Sequence, residues 1–205
     1  MTRKELDALI SLGEGLTIEL KRSVSGDLGR EICAFANTLG GRIVIGVDDQ
    51  GQIVGVPHLN RAKSEVQSIA RNLDPPLAVE IEAVDNLLVA TVPNGPNKPY
   101  MVGGKFYIRD ASSTQQLLRD EIREFFFKEG LISFDKQICR GFDMAEDFDR
   151  QKYRAFARAA GIPAGMKTED ALSNLEVLTS DGMSNAGALF FSKRVPKFFL
   201  EAKSL

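Results

Sequence analysis

Five ionisable side chains in the first quarter of the sequence have the types and spacing for phosphate chemistry. They are Glu14, Glu19 and Lys21 in the run EGLTIELK, and Asp48 and Asp49 in GVDDQG. Carboxylates that converge from a strand and a hairpin tip can hold a divalent cation such as Mg or Mn and orient water on a phosphodiester, the logic of metal-assisted hydrolysis. The same residues also have plainer uses. Asp is favoured in turns because its side chain bonds the nearby backbone, so Asp48 and Asp49 equally fit turn formation. Glu19 and Lys21, two apart on one strand face, fit cross-strand charge pairing.

A second group is basic. Lys105, Tyr107 and Arg109 share one parity in KFYIRD. An aromatic ring between two cations on a sheet can stack a base while the cations meet phosphates. The trio also fits an ordinary exposed strand face. The formal net charge is −2, so any grip on nucleic acid must come from a local patch rather than from the total.

Other chemistries are excluded by what is missing. No G-x-x-x-x-G-K-[ST] loop exists to cradle a triphosphate, and Gly26 and Gly29 in SGDLGREI fit a capped helix start. No G-x-S-x-G elbow accompanies the single histidine, His58, which sits in the turn VPHLN. One histidine and two distant cysteines, Cys33 and Cys139, rule out a zinc site of the usual nitrogen and sulfur type. Cys33 lies in a helix-periodic apolar pattern and reads as a small buried thiol rather than half of a disulfide.

The elements that must position these residues follow from periodicity. TRKELDALISLGEG predicts a short helix capped by Thr2 and ended by Gly13. Leu16, Ile18 and Leu20 then alternate with Thr17, Glu19 and Lys21, a strand that turns the first set to the core and the second elsewhere. GDLGREICAFANTLGG is a helix with Ile32, Phe35, Ala36 and Leu39 on one stripe, Asp27 as its cap and Gly40 and Gly41 as its stop. RIVIGVDDQGQIVGV reads as a hairpin, LNRAKSEVQSIARNL as a helix stopped by DPP, and LAVEIEAV with NLLVATV as a second hairpin around Asp85 and Asn86. PNGPNKPY is a loop, YMVGGKFYIRDASST a hairpin around Gly103 and Gly104, and QQLLRDEIREFFFKEG a helix packing through Leu118, Ile122 and Phe125 or Phe126. This order predicts an α+β fold, a mixed β-sheet built from hairpins with flanking helices. Beyond residue 130 the texture shifts to short helices, RQKYRAFARAAG and TEDALSNLEVL, and the apolar NAGALFFSK. The run KFFLEAKSL ends without a stop signal, and the chain is expected to be part of something longer.

Composition agrees with a folded, water-facing protein: 43% of residues are hydrophobic and 26% charged. No run of about 18 apolar residues is present to span a bilayer. The opening MTRKELDALI lacks a secretory pattern, so no membrane partner and a cytoplasmic location are expected.

The strings EGLTIELKRS, ICAFANTLGGRIVIGVDDQGQIVGV, NKPY, YIRDASST and DEI together resemble the AlbA-like domain of the Schlafen type, once catalogued as a divergent AAA or ATP-binding domain. The similarity runs over residues 13–124, and FANT-x-GG followed by IGVDD-x-G is its most specific part. The segment LSNLEVLTSDGMSNAGALFFSKRVPKFF resembles the region C-terminal to this domain in bacterial predicted transcriptional regulators, where a NAG-x-L-x-F string precedes an ATPase-like region and a C-terminal winged helix. The resemblance divides the chain into an AlbA-like Schlafen-type domain at 1–130 and a smaller, mainly helical segment at 131–205, the start of a second region.

The functional implications of the resemblance are twofold. In the bacterial regulators the domain is taken to help bind DNA or a regulatory ligand, without established catalysis. Phosphate contacts here would come from Lys21, Arg22, Arg42, Lys105 and Arg109, with Tyr107 among them. RNA as target and a homodimer are both compatible with that reading. In animal Schlafens the related domain can be an endoribonuclease whose acidic triad comprises two glutamates of an E-x4-E-[FL]-K string and an aspartate after a G-V pair. Carried onto this sequence, the catalytic and metal-ligating set is Glu14, Glu19 and Asp49, with Mg or Mn as cofactor. The older ATP-binding label implies a third reading, a nucleotide- or ligand-sensing domain, for which the sequence offers no Walker loop.

Overall fold

The computed structural model describes residues 1–199, so the last part of KFFLEAKSL, from residue 200 on, lies outside the described residues. The chain divides into two compact units, one spanning Met1–Glu129 and the other starting at Gly130.

The first unit is a helix-covered mixed sheet. Helix α1 (Arg3–Leu12) begins with a reciprocal cap: the Thr2 hydroxyl accepts from the Glu5 N–H, and the Thr2 N–H donates to the Glu5 carboxylate at 2.7 Å. It ends at Gly13, whose φ of 72° suits a residue without Cβ. Strand β1 (Ile18–Lys21), helix α2 (Leu28–Asn37) and strand β2 (Gly41–Ile45) form a parallel crossover. Helix α3 (Leu59–Arg71) precedes β3 (Glu80–Val84) and β4 (Leu87–Val92), a hairpin that turns at Asp85 with φ 54°. The sheet order is β1-β2-β4-β3, parallel only between β1 and β2. A second, antiparallel sheet comprises β5 (Met101–Val102), β6 (Lys105–Asp110) and β7 (Ser113–Gln116), and leads into helix α4 (Arg119–Lys128). The α+β class with a mixed sheet and flanking helices is therefore as expected.

Both faces of the first sheet are covered. Ile43, Ile45, Leu88 and Ala90 pack under α2 and α3, with Phe35, Val66, Tyr100 and Tyr107 in the same core. Leu20, Val44, Leu87 and Val89 face the other way, onto Leu6 and Ile10 of α1. Register decides where the charged residues of β1 go. Leu20 is opposite Val44 and so joins the α1 side, while Glu19 is opposite Ile43 and points toward α2. A carboxylate is thus driven into a covered face.

The glycine pair in FANTLGG has a steric cause. Gly40 has φ 74°, and a Cβ there would lie 2.6 Å from the Asn94 nitrogen and 2.7 Å from the Val92 oxygen. A Cβ on Gly41 would meet the Phe35 ring at 2.6 Å and the Thr17 oxygen at 2.7 Å. The chain leaves α2 and enters β2 with backbone against backbone, which only glycine permits.

Several expectations are corrected. GQIVGV is not a second hairpin arm, because β1 and β4 already occupy both edges of β2; it makes one bridge, Val47 to Ile53, and folds back through Val54 and Gly55 N–H donation to the Gly46 oxygen. Gln115 and Gln116 belong to β7 rather than to the helix, and Leu118 is exposed. The rest of that face is as expected: α4 rests on half-buried Ile122, Phe125 and Phe126, the last edge-on to Phe106 at 5.8 Å. Leu39 is exposed at the end of its stripe, and the Asp27 side chain makes no cap hydrogen bond.

The second unit contains α5 (Arg150–Ala159), α6 (Thr168–Asn174), a small hairpin of β8 (Leu178–Thr179) and β9 (Gly182–Met183), and α7 (Asn185–Phe191). Its core is Phe148, Tyr153, Leu172, Met183, Ala188 and Phe191. The NAG string is structural within it: Asn185 donates to the Phe134 oxygen at 2.8 Å, and Ser184 caps α7 by accepting from the Gly187 N–H at 3.2 Å. Among the described residues no helix is long and apolar enough to cross a membrane.

The glycine argument predicts a contrast. Gly103 also has positive φ, 57°, but nothing lies within 4 Å of a Cβ built there. Gly103→Ala is expected to cost about 1–2 kcal/mol from φ alone, and Gly40→Ala about 3 kcal/mol or more once overpacking is added. Urea unfolding of both variants measures it; equal losses would mean that the backbone around Gly40 gives way.

Candidate functional site

The polar centre of the first unit is built around Arg109 on β6, whose guanidinium is sunk between strand and helix. Its Nη1 lies 2.9 Å from Glu19 Oε2 on β1 and 3.0 Å from Glu31 Oε2 on α2, and donates to the Thr114 hydroxyl at 3.1 Å. Its Nη2 donates to the Gly15 oxygen at 2.7 Å, and the group sits over the Phe35 ring at 4.7 Å. Thr114 in turn donates to Glu31. Lys21 Nζ donates to Glu19 Oε1 and stands 4.0 Å from Glu31 Oε1. Glu19 and Arg109 are each only 4% exposed.

Two carboxylates and two cations therefore neutralise one another in a largely dry place. Burial opposes the Lys21 charge, but the hydrogen bond to Glu19 and the nearby charges of Glu19, Glu31 and Glu14 outweigh it, so its pKa is raised. Glu19 Oε2 and Arg109 Nε lack an aligned hydrogen-bond partner, so the 2.9 Å contact between the two residues acts as charge against charge. Arg109 cannot shed its proton, and removing either side would strand a buried ion.

Below the network, Asn37 fastens α2 to the loop and second sheet. Its amide donates to the oxygens of Tyr100 at 2.8 Å and Tyr107 at 2.9 Å, and accepts from the Tyr100 N–H at 2.7 Å. Cys33 Sγ donates to the Tyr100 oxygen at 3.2 Å, and burial pushes its thiol up to about 11, against a hydrogen bond from the Tyr107 backbone. The FANT and NKPY strings thus meet as one joint.

The acidic set implied for metal chemistry is not gathered. Glu14 is exposed, and its Oε1 accepts from the Leu20 N–H at 3.3 Å. Asp48 Oδ1 accepts from the N–H groups of Gln50 at 3.0 Å and Gln52 at 2.8 Å, as a turn former does, and Asp49 is exposed beside it. Glu19 sits mid-strand opposite Ile43, whereas Asp49 lies past the end of β2. Among the described residues no three His, Cys, Asp or Glu side chains are placed to hold a metal ion. Glu14, Glu19 and Asp49 as arranged do not fit Mg or Mn, because the best-placed carboxylate is already committed to Lys21 and Arg109.

The basic set divides. Tyr107 is buried at 7% exposure and Arg109 is internal, so the Lys105, Tyr107 and Arg109 face is not open for base stacking: the small sheet lies on α2 and not in solvent. Lys105, Arg22 and Arg42 are exposed. Arg42 lines a cleft of about 490 Å3 with Glu5, Glu80 and Glu82, which offset its charge. Sequence reasoning missed Glu31, Thr114 and Asn37. Asn37 had a signal, an amide inside an apolar helical stripe; Glu31 and Thr114 had none.

Residues 14–118, about half of the chain, match the family model described as Schlafen, AlbA_2. Among solved structures, the DIP2311 protein from Corynebacterium diphtheriae aligns at 15% identity over 92% of this chain, with a TM-score of 0.44. The chain covers 39% of that protein. The N-terminal domain of an ATP-dependent DNA helicase RecG-related protein from Nitrosomonas europaea aligns at 26% identity over 57% of this chain and 93% of that domain, with a TM-score of 0.35. No curated protein matches the sequence.

Arg109→Met is expected to destabilise the protein by about 3–5 kcal/mol, since it leaves Glu19 and Glu31 with Lys21 alone. Lys21→Met should cost less, because Lys21 is partly exposed and Arg109 remains. The Lys21 contribution is present in full below the ordinary lysine value of 10.5 and is lost as pH rises through its higher folded value. Denaturant unfolding from neutral pH to beyond the ordinary lysine value tests both statements; a Lys21→Met variant with the wild-type alkaline limb would contradict the second.

Proposed function

The chain belongs to the Schlafen AlbA_2 family, and on that premise we propose that its first unit binds nucleic acid, DNA in the first instance, without cutting it, as part of a transcriptional regulator. The observation that carries the choice between binder and nuclease is the state of Glu19: it is buried, with one oxygen taken by Lys21 and the other against Arg109. A metal-ligating carboxylate needs free lone pairs directed at a shared, wet position. Glu19 instead has the surroundings of a structural counter-ion.

Solvent-facing cations are left for phosphates. Arg22, just past β1, and Lys105, beside the Gly103 and Gly104 turn, are exposed and form no ion pair among the described residues. Arg42 contributes less because of its acidic neighbours. A nucleotide-sensing role has weaker support. The cleft of about 430 Å3 beside Arg109 is lined by Glu121, Glu124 and Glu129 as well as Lys98 and Lys128, and the carboxylates oppose a triphosphate.

The test is fluorescence anisotropy of the 205-residue chain with a labelled DNA duplex and an RNA of the same sequence, with cleavage read on gels in Mg and in Mn. Binding is expected to weaken roughly tenfold or more between about 50 and 200 mM salt, as a few phosphate contacts imply, with both strands left intact. Absence of binding at low salt would overturn the proposal. So would metal-dependent cleavage that disappears in Asp49→Asn, an exposed substitution that leaves the fold alone.

A further inference from the structure

The second unit concentrates uncompensated positive charge on one helix. α5, RQKYRAFARA, carries Arg150, Lys152, Arg154 and Arg158 and no acidic residue. Its inner face is committed to the core: Tyr153 is buried, and the Tyr153 and Phe156 rings lie 5.8 and 5.3 Å from Phe191. The three arginines recur every fourth residue, so they form a single row on the outer face, and all three are exposed. Among the described residues none of them forms an ion pair.

Three of the neighbouring acids are already engaged, and the exposed Glu146 forms no ion pair with the row among the described residues. Asp149 caps α5 by accepting from the N–H groups of Gln151 and Lys152 at 2.9 and 3.0 Å. Asp147 is held by Lys197, and Asp143 accepts from the Ala145 and Glu146 N–H groups. Near the start of the helix, Lys152 Nζ donates to the Ser192 oxygen, which brings exposed Lys193 and Arg194 toward the same region. Like charges four residues apart weaken a helix, so this row is a standing cost that an anionic partner would remove.

Helix rise sets successive arginines about 6 Å apart and the row about 12 Å long. One small anion can meet one of them, whereas a polymer of regularly spaced negative charge meets all three. Arginine at every position of the row suits phosphate, because the planar guanidinium can bond two oxygens at once. An anionic bilayer fits less well, since a helix lying on a membrane must place its apolar face among the acyl chains, and that face of α5 is spent on Phe191 and its neighbours. We propose that α5 is a contact for the phosphate backbone of a DNA duplex, with Arg150, Arg154 and Arg158 aligned along it. This rests on the reading of the chain as a nucleic-acid binder but assigns contacts to the second unit, beyond the residues of the family match.

The test compares the full chain with the R150Q/R154Q/R158Q variant, by anisotropy on one DNA duplex over a salt series and by flotation with vesicles containing phosphatidylserine. The variant is expected to bind the duplex about 10- to 100-fold more weakly at about 50 mM salt, and its log–log salt slope to shrink by about 2–3, near 0.9 for each phosphate no longer neutralised. Its melting temperature should be unchanged or higher, because the repulsion along α5 is gone. Wild-type binding with an unchanged slope in the variant would overturn this assignment while leaving the family domain as the binding module. Failure of the wild-type chain to bind DNA would overturn both, and arginine-dependent flotation with unchanged DNA affinity would move the row to a lipid surface instead.

Discussion

A guanidinium that cannot lose its proton must take its counter-charge with it when it is buried, and the first unit is organised around that requirement at Arg109. Glu19 reaches it from β1, Glu31 from α2 and Thr114 from β7, while the Gly15 oxygen closes the far side. Segments far apart in sequence are thereby held at one point. Apolar contacts alone would pull them together without specifying how the small sheet sits on α2, because hydrophobic burial is non-directional. The ion network supplies direction, at the expense of desolvating two carboxylates and two cations. Asn37 does the same with neutral groups further along α2, and Gly40 and Gly41 let the strand start close enough to α2 for both to work.

That organisation shapes the functional reading. The residues most tempting as chemistry, Glu19 and Arg109, are the ones the fold consumes. Among the residues left facing water are unpaired cations, Arg22 and Lys105 on the first unit and, on the second, the arginine row of α5. A polyanion recognised by positively charged side chains through its backbone asks for such a distribution: a rigid interior that fixes elements in place, and an exterior of long, unpaired cations. Acid–base or metal chemistry asks for the opposite, polar groups kept unsatisfied and accessible at one spot.

Much of this was legible in the sequence, and the exceptions have a common cause. The cap at Thr2, the stop at Gly13, the α2 stripe and the Asp85 turn are local, and local signals survive into the fold. Alternation in β1 correctly separated Leu20 from Glu19, and parity correctly paired Tyr107 with Arg109, whereas Lys105, at the start of β6, stays exposed. Neither pattern says whether a polar face meets water or another layer. For β1 and β6 it meets α2, which turned an expected basic surface into an interior. The GQIVGV arm failed for a related reason, since the partners that fill the edges of β2, β1 and β4, lie outside its own hairpin. Glu31 and Thr114 became visible only when long-range packing placed them beside Arg109.

The central claim is that Glu19 belongs to Arg109. Its most direct test is a double-mutant cycle, with Glu19→Gln, Arg109→Gln and the combined variant unfolded in urea beside the wild type. A coupling of about 1.5 kcal/mol or more is predicted, with the combined variant more stable than the sum of single losses implies. Losses that add to within about 0.5 kcal/mol would mean that the two side chains stabilise the fold independently, and the account of Glu19 as a structural counter-ion would be contradicted.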